Sequence, residues 1–146
     1  MSVDITAEVT IDRPRAAVAA YMFDPRNDAV WTGGLVDARP LGDGPLVTGS
    51  KVERTSKFLG RKFSYLIEVL DHEPEARVEM LTHEPFEMRI TYLLDDAAGG
   101  ATRTRIRAAG GGTGFFQVAG PLLARMVRRS IQNDLEMLKE ALEASV

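Results

Sequence analysis

The sequence predicts an α+β protein: a curved antiparallel sheet of about seven strands wrapped around one long C-terminal helix, with two short helices after the first strand. Three observations predict it. Apolar and polar residues alternate in "VDITAEVTI" and again in a succession of short runs between residues 51 and 108. Only turn residues separate those runs, so consecutive strands pair as an antiparallel meander. The end of the chain switches to helical spacing, and it is the only element large enough to cover a sheet face.

The elements follow in order. In "VDITAEVTI", Val3, Ile5, Ala7, Val9 and Ile11 share one face of a half-buried strand. In "DRPRAAVAAYMFD", Asp12 is placed to cap a helix, Pro14 suits its first turn, and Pro25 ends it. "RNDAVWTGG" reads as a second short helical piece closed by Gly33 and Gly34. "LVDARPL" is a weak strand whose proline suits an edge. "KVERTSKFL" places Val52, Arg54, Ser56 and Phe58 together, and "KFSYLIEVL" places Phe63, Tyr65, Ile67 and Val69 together. "DHEPEA" reads as a turn, and "RVEMLT" follows with Val78, Met80 and Thr82 on one face. "EMRITYLLD" gives Met88, Ile90, Tyr92 and Leu94, and "TRTRIRA" gives Thr102, Thr104, Ile106 and Ala108. On the terminal helix, Leu123, Met126, Val127, Met137 and Leu138 fall on one arc, with Arg125, Arg128, Arg129, Gln132, Glu136, Lys139 and Glu143 opposite. Pro121 marks a kink or the start of that helix.

Composition bounds the function. The chain has 146 residues, the size of a single domain spanning 1–146. Its net charge of −3 gives no global pull toward nucleic acid or an anionic membrane. Cysteine is absent, so disulfides and thiol chemistry are excluded, and a reducing cytoplasmic location is compatible. No charged start leads into an apolar run, and no stretch approaches the length of a membrane span, so stable membrane insertion is not expected.

The pattern resembles the START-like, polyketide cyclase/dehydrase-like superfamily with the helix-grip fold, grouped with the Bet v 1-like proteins. The resemblance rests on "VTIDRPRAAVAAYMFDPRNDAVW", "GSKVERTS", "KFSYLIEVLDHEPEARVEM", "GGATRTRI" and the amphipathic terminal helix, and so covers nearly the whole chain. The spaced residues Ile11, Arg13, Pro14, Val18, Tyr21, Asp24, Pro25 and Trp31 carry the part most specific for bacterial cyclase/dehydrase-like members. These motifs identify a fold and no reaction. The resemblance implies a deep cavity between sheet and helix that holds an apolar or amphipathic small molecule. It implies no cofactor, and a homodimer is compatible with it.

The candidate site is the inner face of the sheet. Phe58, Phe63, Tyr65, Met80, Met88, Ile90 and Tyr92 stand there with Arg54, Ser56, Thr82 and Thr104. Packing alone accounts for part of this set; an apolar lining with a few polar groups is also what a small-molecule pocket needs. Trp31 is read as cavity wall or plain core, and the helix adds Phe115, Met126 and Ser130. Asp134 falls in the middle of the apolar arc, where a carboxylate needs a partner or a wet cavity. Arg54, Tyr65 or Tyr92 could serve it. Asp134 is either a general base, or a ligand-orienting group, or a member of a structural network.

Three other features are set aside. "AAGGGTGFF" lacks the lysine and the parallel strand of a phosphate loop, and reads as a hinge into the helix that borders the cavity mouth. His72 and His83 stand 11 apart with no third ligand at a recognisable spacing, so no metal site is expected. The arginines of "TRTRIR" and of the helix read as solvated faces, without the aromatic interleaving of a nucleic-acid surface. Three functions remain open: a binder of a hydrophobic small molecule, a cyclase, dehydratase or aromatase acting on a polyketide-like substrate, and a protein-interaction module. A filled core without a cavity would favour the last.

Overall fold

The computed structural model describes residues 3–58, 60–83, 87–110 and 115–144. The chain runs β1 (Val3–Ile11), α1 (Arg15–Met22), a 3-10 turn (Pro25–Asn27), α2 (Asp28–Trp31), β2 (Leu35–Pro40), β3 (Lys51–Phe58), β4 (Arg61–Glu73), β5 (Arg77–Thr82), β6 (Met88–Asp96), β7 (Thr102–Gly110) and α3 (Phe115–Ala144). The seven strands form one antiparallel sheet in the order β1-β7-β6-β5-β4-β3-β2. The proline-bearing β2 lies at one edge, where its missing N–H breaks no inner ladder. This is the helix-grip arrangement, with α3 laid along the concave face.

Period-two alternation sets the inner face. Val3, Ile5, Ala7 and Ile11 of β1 are buried, as are Val52 and Arg54 of β3, Ile67 and Val69 of β4, and Val78, Met80 and Thr82 of β5. A one-residue slip would expose each such set. Two bulges occur, between Leu35 and Asp37 and between Val69 and Asp71. Both lie outside the stretch that pairs Arg54 with Tyr65, so Arg54 keeps its inward face.

Several local expectations are corrected. β4 continues to Glu73, so His72 is a strand residue; its Nδ1 accepts the Thr48 N–H at 2.9 Å. Asp12 does not cap α1: Pro14 occupies that position without a side-chain cap, and the Asp12 N–H donates to Glu143 at 2.8 Å. α3 is one helix of 30 residues with Pro121 inside it, not at its start. The proline gives up one backbone hydrogen bond of that helix. Of the stretch 108–116 read as a hinge, residues 108–110 belong to β7, 115 and 116 open α3, and 111–114 lie outside the described residues.

The buried face of α3 is also different. Ile131, Leu135, Leu138 and Leu142 are buried, whereas Met126 and Met137 are 37% and 46% exposed. The helix is turned by about a quarter turn from the arc read in the sequence. Contacts to β1 explain the roll. Gln132 Nε2 donates to the Glu8 carbonyl at 3.2 Å and Lys139 Nζ to the Thr10 carbonyl at 2.6 Å, which draws the helix's polar flank onto the first strand.

Candidate functional site

A cavity of about 230 Å³ lies between the concave sheet face and α3. β3 contributes Arg54, Ser56 and Lys57, and β4 contributes Phe63, Tyr65 and Ile67. Thr82, Met88, Ile90, Tyr92 and Ile106 come from β5, β6 and β7. The end of α2 supplies Trp31, Thr32 and Gly33, and α3 supplies Val127, Ser130, Ile131 and Asp134. Alternate residues of adjacent strands project to the same side, so the strand lining follows from parity, with Lys57 as the exception.

An ion pair forms its floor. Arg54 Nη2 donates to Asp28 Oδ2 at 2.7 Å, and both residues are almost wholly buried. Burial pushes the Asp28 carboxyl up, against the pull of Arg54. Burial also works against the Arg54 charge, but Tyr92, Asp28 and Tyr65 outweigh it and its pKa is raised. Burial pushes the Tyr92 hydroxyl up to about 12, so it is a neutral donor at physiological pH. Tyr92 is held by rings on two sides, Trp31 with centroids 5.7 Å away and Phe23 at 6.2 Å. Beyond Arg54, Ser56 Oγ and Tyr65 Oη lie 3.0 Å apart.

Not every polar atom here has a protein partner. Trp31 Nε1, Arg54 Nε, Thr32 Oγ1 and Asp28 Oδ1 are buried and take no hydrogen bond within the chain. Such groups cost about 1–3 kcal/mol each unless a ligand or water satisfies them. Two of the four, Trp31 Nε1 and Arg54 Nε, are obligate donors.

Asp134 stands at the edge of the buried helix face. Its Oδ1 accepts the Gly33 N–H at 2.8 Å, which ties the end of α2 to α3. Burial raises its pKa to about 6, against the opposing effects of the Gly33 N–H and Arg54. A carboxyl with that pKa exchanges protons readily near neutral pH. The glycines make this junction possible. A Cβ on Gly33 would sit 3.1 Å from Asp134 Oδ1, and one on Gly34, whose φ is +76°, would sit 2.9 Å from the Lys57 carbonyl.

Of the residues singled out in the sequence, Trp31, Arg54, Phe63, Tyr65, Met88, Tyr92, Ser130 and Asp134 share this lining. Met80 is buried in the core away from it, and Met126 faces outward. The side chains of Phe58 and Phe115 lie outside the described residues. Asp28 carried no distinguishing signal in the sequence, since an acid at the start of a short helix ordinarily serves the helix dipole. Gly33 was legible only as a helix stop. Among the described residues, no group of three or more His, Asp or Glu side chains gathers to hold a metal, and no helix is long and apolar enough to cross a membrane.

A family model described as polyketide cyclase / dehydrase and lipid transport matches residues 2–143. The Zhui aromatase/cyclase of Streptomyces sp. R1128 superposes with a TM-score of 0.80 at 15% identity, over 98% of this chain and 94% of its own. TTHA0849 of Thermus thermophilus gives 0.79 at 16% identity, over 97% and 98%. Ara h 8.0201 gives 0.73 at 12% identity, over 99% and 100%. At these identities the likeness is one of fold. No curated protein matches the sequence.

Proposed function

Because this chain belongs to the polyketide cyclase / dehydrase and lipid transport family, we propose that it binds a hydrophobic or amphipathic small molecule between the sheet and α3, with an oxygen-bearing end toward Arg54 and Trp31. The reading rests on two buried donors among the lining residues, Trp31 Nε1 and Arg54 Nε, that lack protein acceptors in a lining of mixed apolar and polar side chains. A carbonyl, hydroxyl or carboxyl oxygen is the kind of acceptor these donors lack, while the apolar remainder lies against Phe63, Ile90, Ile106 and Val127. The volume falls just under the usual range for small-molecule sites, which favours a compact ligand. It also weighs against a protein-interaction module, which needs no internal space.

Gentle mass spectrometry of the freshly purified protein, before and after organic extraction, tests this. The expected result is a discrete added mass that extraction releases and that Arg54→Met no longer retains. A clean mass, together with no uptake of anilinonaphthalene sulfonate by the wild-type chain, would overturn it.

Asp134 favours a second reading on the same site, a cyclase- or dehydratase-like activity. With a ligand carbonyl polarised by Arg54 and Trp31, a carboxylate with a pKa near 6 at the mouth is suited to take a proton from the carbon beside that carbonyl. The family's description gives the substrate class to try first, a polyketide. Asp134→Asn is expected to lose turnover of such a substrate while still binding it. Retained turnover in that variant would remove Asp134 from the chemistry.

A further inference from the structure

The chain is acidic as a whole, yet its charges are unevenly spread. Residues 54–67 and 110–133 contain no acidic side chain. The register places the β3–β4 turn and the end of β7 at one end of the molecule. The β3–β4 hairpin turns there, where Phe58 pairs with Arg61, and β7 ends there at Gly110 just before α3 begins. Lys57, Arg61 and Lys62 on the hairpin and Arg125, Arg128 and Arg129 on α3 are all exposed. None of these six has a carboxylate within ion-pair distance among the described residues.

Elsewhere among the described residues most cations meet a carboxylate, Lys51 being an exception. Arg103 pairs with Glu8 at 2.8 Å, Arg105 with Asp95 at 2.6 Å and Arg107 with Asp4 at 2.6 Å. Glu87, an acid at the cationic end, faces His83 at 4.0 Å. Two large apolar side chains lie among the helix cations, Leu122 at 63% exposure and Met126 at 37%. Of the six cations Lys57 belongs to the cavity lining, and Val127 and Ser130 of the lining neighbour the cations of α3 in sequence, so the cationic end adjoins the cavity.

We infer that this end is a docking surface for an anionic lipid bilayer, seating the cavity mouth against the membrane. Unpaired cations are drawn to the negative headgroup layer, and Leu122 and Met126 reach the acyl boundary between them. An acidic protein would match the charges as well; the exposed Leu122 and Met126 among the cations favour the bilayer, whose acyl boundary takes up apolar side chains flanked by cations. Docking there is peripheral and reversible, and an apolar ligand would pass between bilayer and cavity without crossing water. The inference does not depend on which ligand the cavity takes, or on whether Asp134 is catalytic.

Co-sedimentation with vesicles tests it. Vesicles of phosphatidylcholine with about 30% phosphatidylglycerol should bind the wild-type chain, pure phosphatidylcholine should not, and about 0.5 M salt should release it. Lys57→Glu/Lys62→Glu and Arg125→Glu/Arg129→Glu should each lower the partition constant at least about tenfold. Leu122→Ser should weaken binding to the anionic vesicles at unchanged charge. Arg103→Glu/Arg107→Glu, on the outer sheet face, serves as the control and should leave binding unchanged. Circular dichroism of each variant confirms that it is folded. Equal binding to neutral and anionic vesicles, or an equal loss in the control, would overturn the inference. So would absence of vesicle binding with capture of a purified acidic carrier protein through the same six cations.

Discussion

Asp134 is held by one hydrogen bond, from Gly33, in surroundings that disfavour its charge. Its pKa is raised from the ordinary 3.8 to about 6, so the folded chain binds this proton more tightly than the unfolded one. Its contribution to stability is therefore fully present below about pH 4, falls as the pH rises to 6, and is lost above that. The Oδ1 of an asparagine can keep the Gly33 hydrogen bond without the charge. Asp134→Asn should thus be about 1–3 kcal/mol more stable than wild type at pH 7.5 and equal to it at pH 3.5. Urea denaturation across that range measures this, and a gap that does not change with pH would show that burial does not govern the carboxyl. Arg54 and Asp28 follow the opposite logic. Each is buried against the other at 2.7 Å, so removing one strands the other, at a cost of about 3–5 kcal/mol. That pair is a structural floor first and a ligand contact only through the Arg54 Nε that it leaves unused.

At the scale of elements, the junction from α2 to β2 controls how the mouth is built. Gly34 adopts a φ of +76°, and its carbonyl accepts the Lys57 N–H at 2.7 Å. Gly34→Ala adds a left-handed penalty to a Cβ only 2.9 Å from a backbone oxygen. A loss of about 2–4 kcal/mol is expected, read as a lower urea midpoint at unchanged slope. A neutral substitution would mean that β2 shifts freely on β3. The strands were legible in the sequence because parity is a local signal, and Arg54 was placed inward by counting from Val52. The roll of α3 was not. The arc read in the sequence ran over Leu123, Met126, Val127, Met137 and Leu138, of which Leu138 is buried, but the face is decided by partners distant in sequence, Glu8 and Thr10 of β1, which draw Gln132 and Lys139 toward them. The same non-local dependence hid Asp28, whose meaning appears only when Arg54 arrives from β3. The arginines illustrate it once more. Those of β7 and those of α3 look alike along the chain, yet among the described residues only the first group meets carboxylates on neighbouring strands.

For the whole molecule, the sheet wraps α3 without closing on it, and the space left over is a cost to folding that a single packed core would avoid. Leu135 and Leu138 fill one part of the interface completely, while the part beside Ile90 and Ile106 stays open. Leu135→Ala would cost about 2–5 kcal/mol, as in any packed core. Adding volume at the open part should do the reverse. Ile90 is partly buried on the cavity lining, and Ile90→Phe places a ring in the space a ligand would take. If the cavity is maintained for binding, this variant gains up to about 1 kcal/mol, a rise of about 2–4 °C in Tm for a chain of this size. It also loses uptake of anilinonaphthalene sulfonate and any co-purifying mass. Vesicle docking is left intact, because no cation and neither Leu122 nor Met126 is altered. A fall of several degrees with ligand uptake unchanged would place the binding space elsewhere. The combination of higher stability, lost ligand and preserved docking separates the two surfaces: an interior kept open at a cost in stability, and an exterior whose charge is kept unpaired.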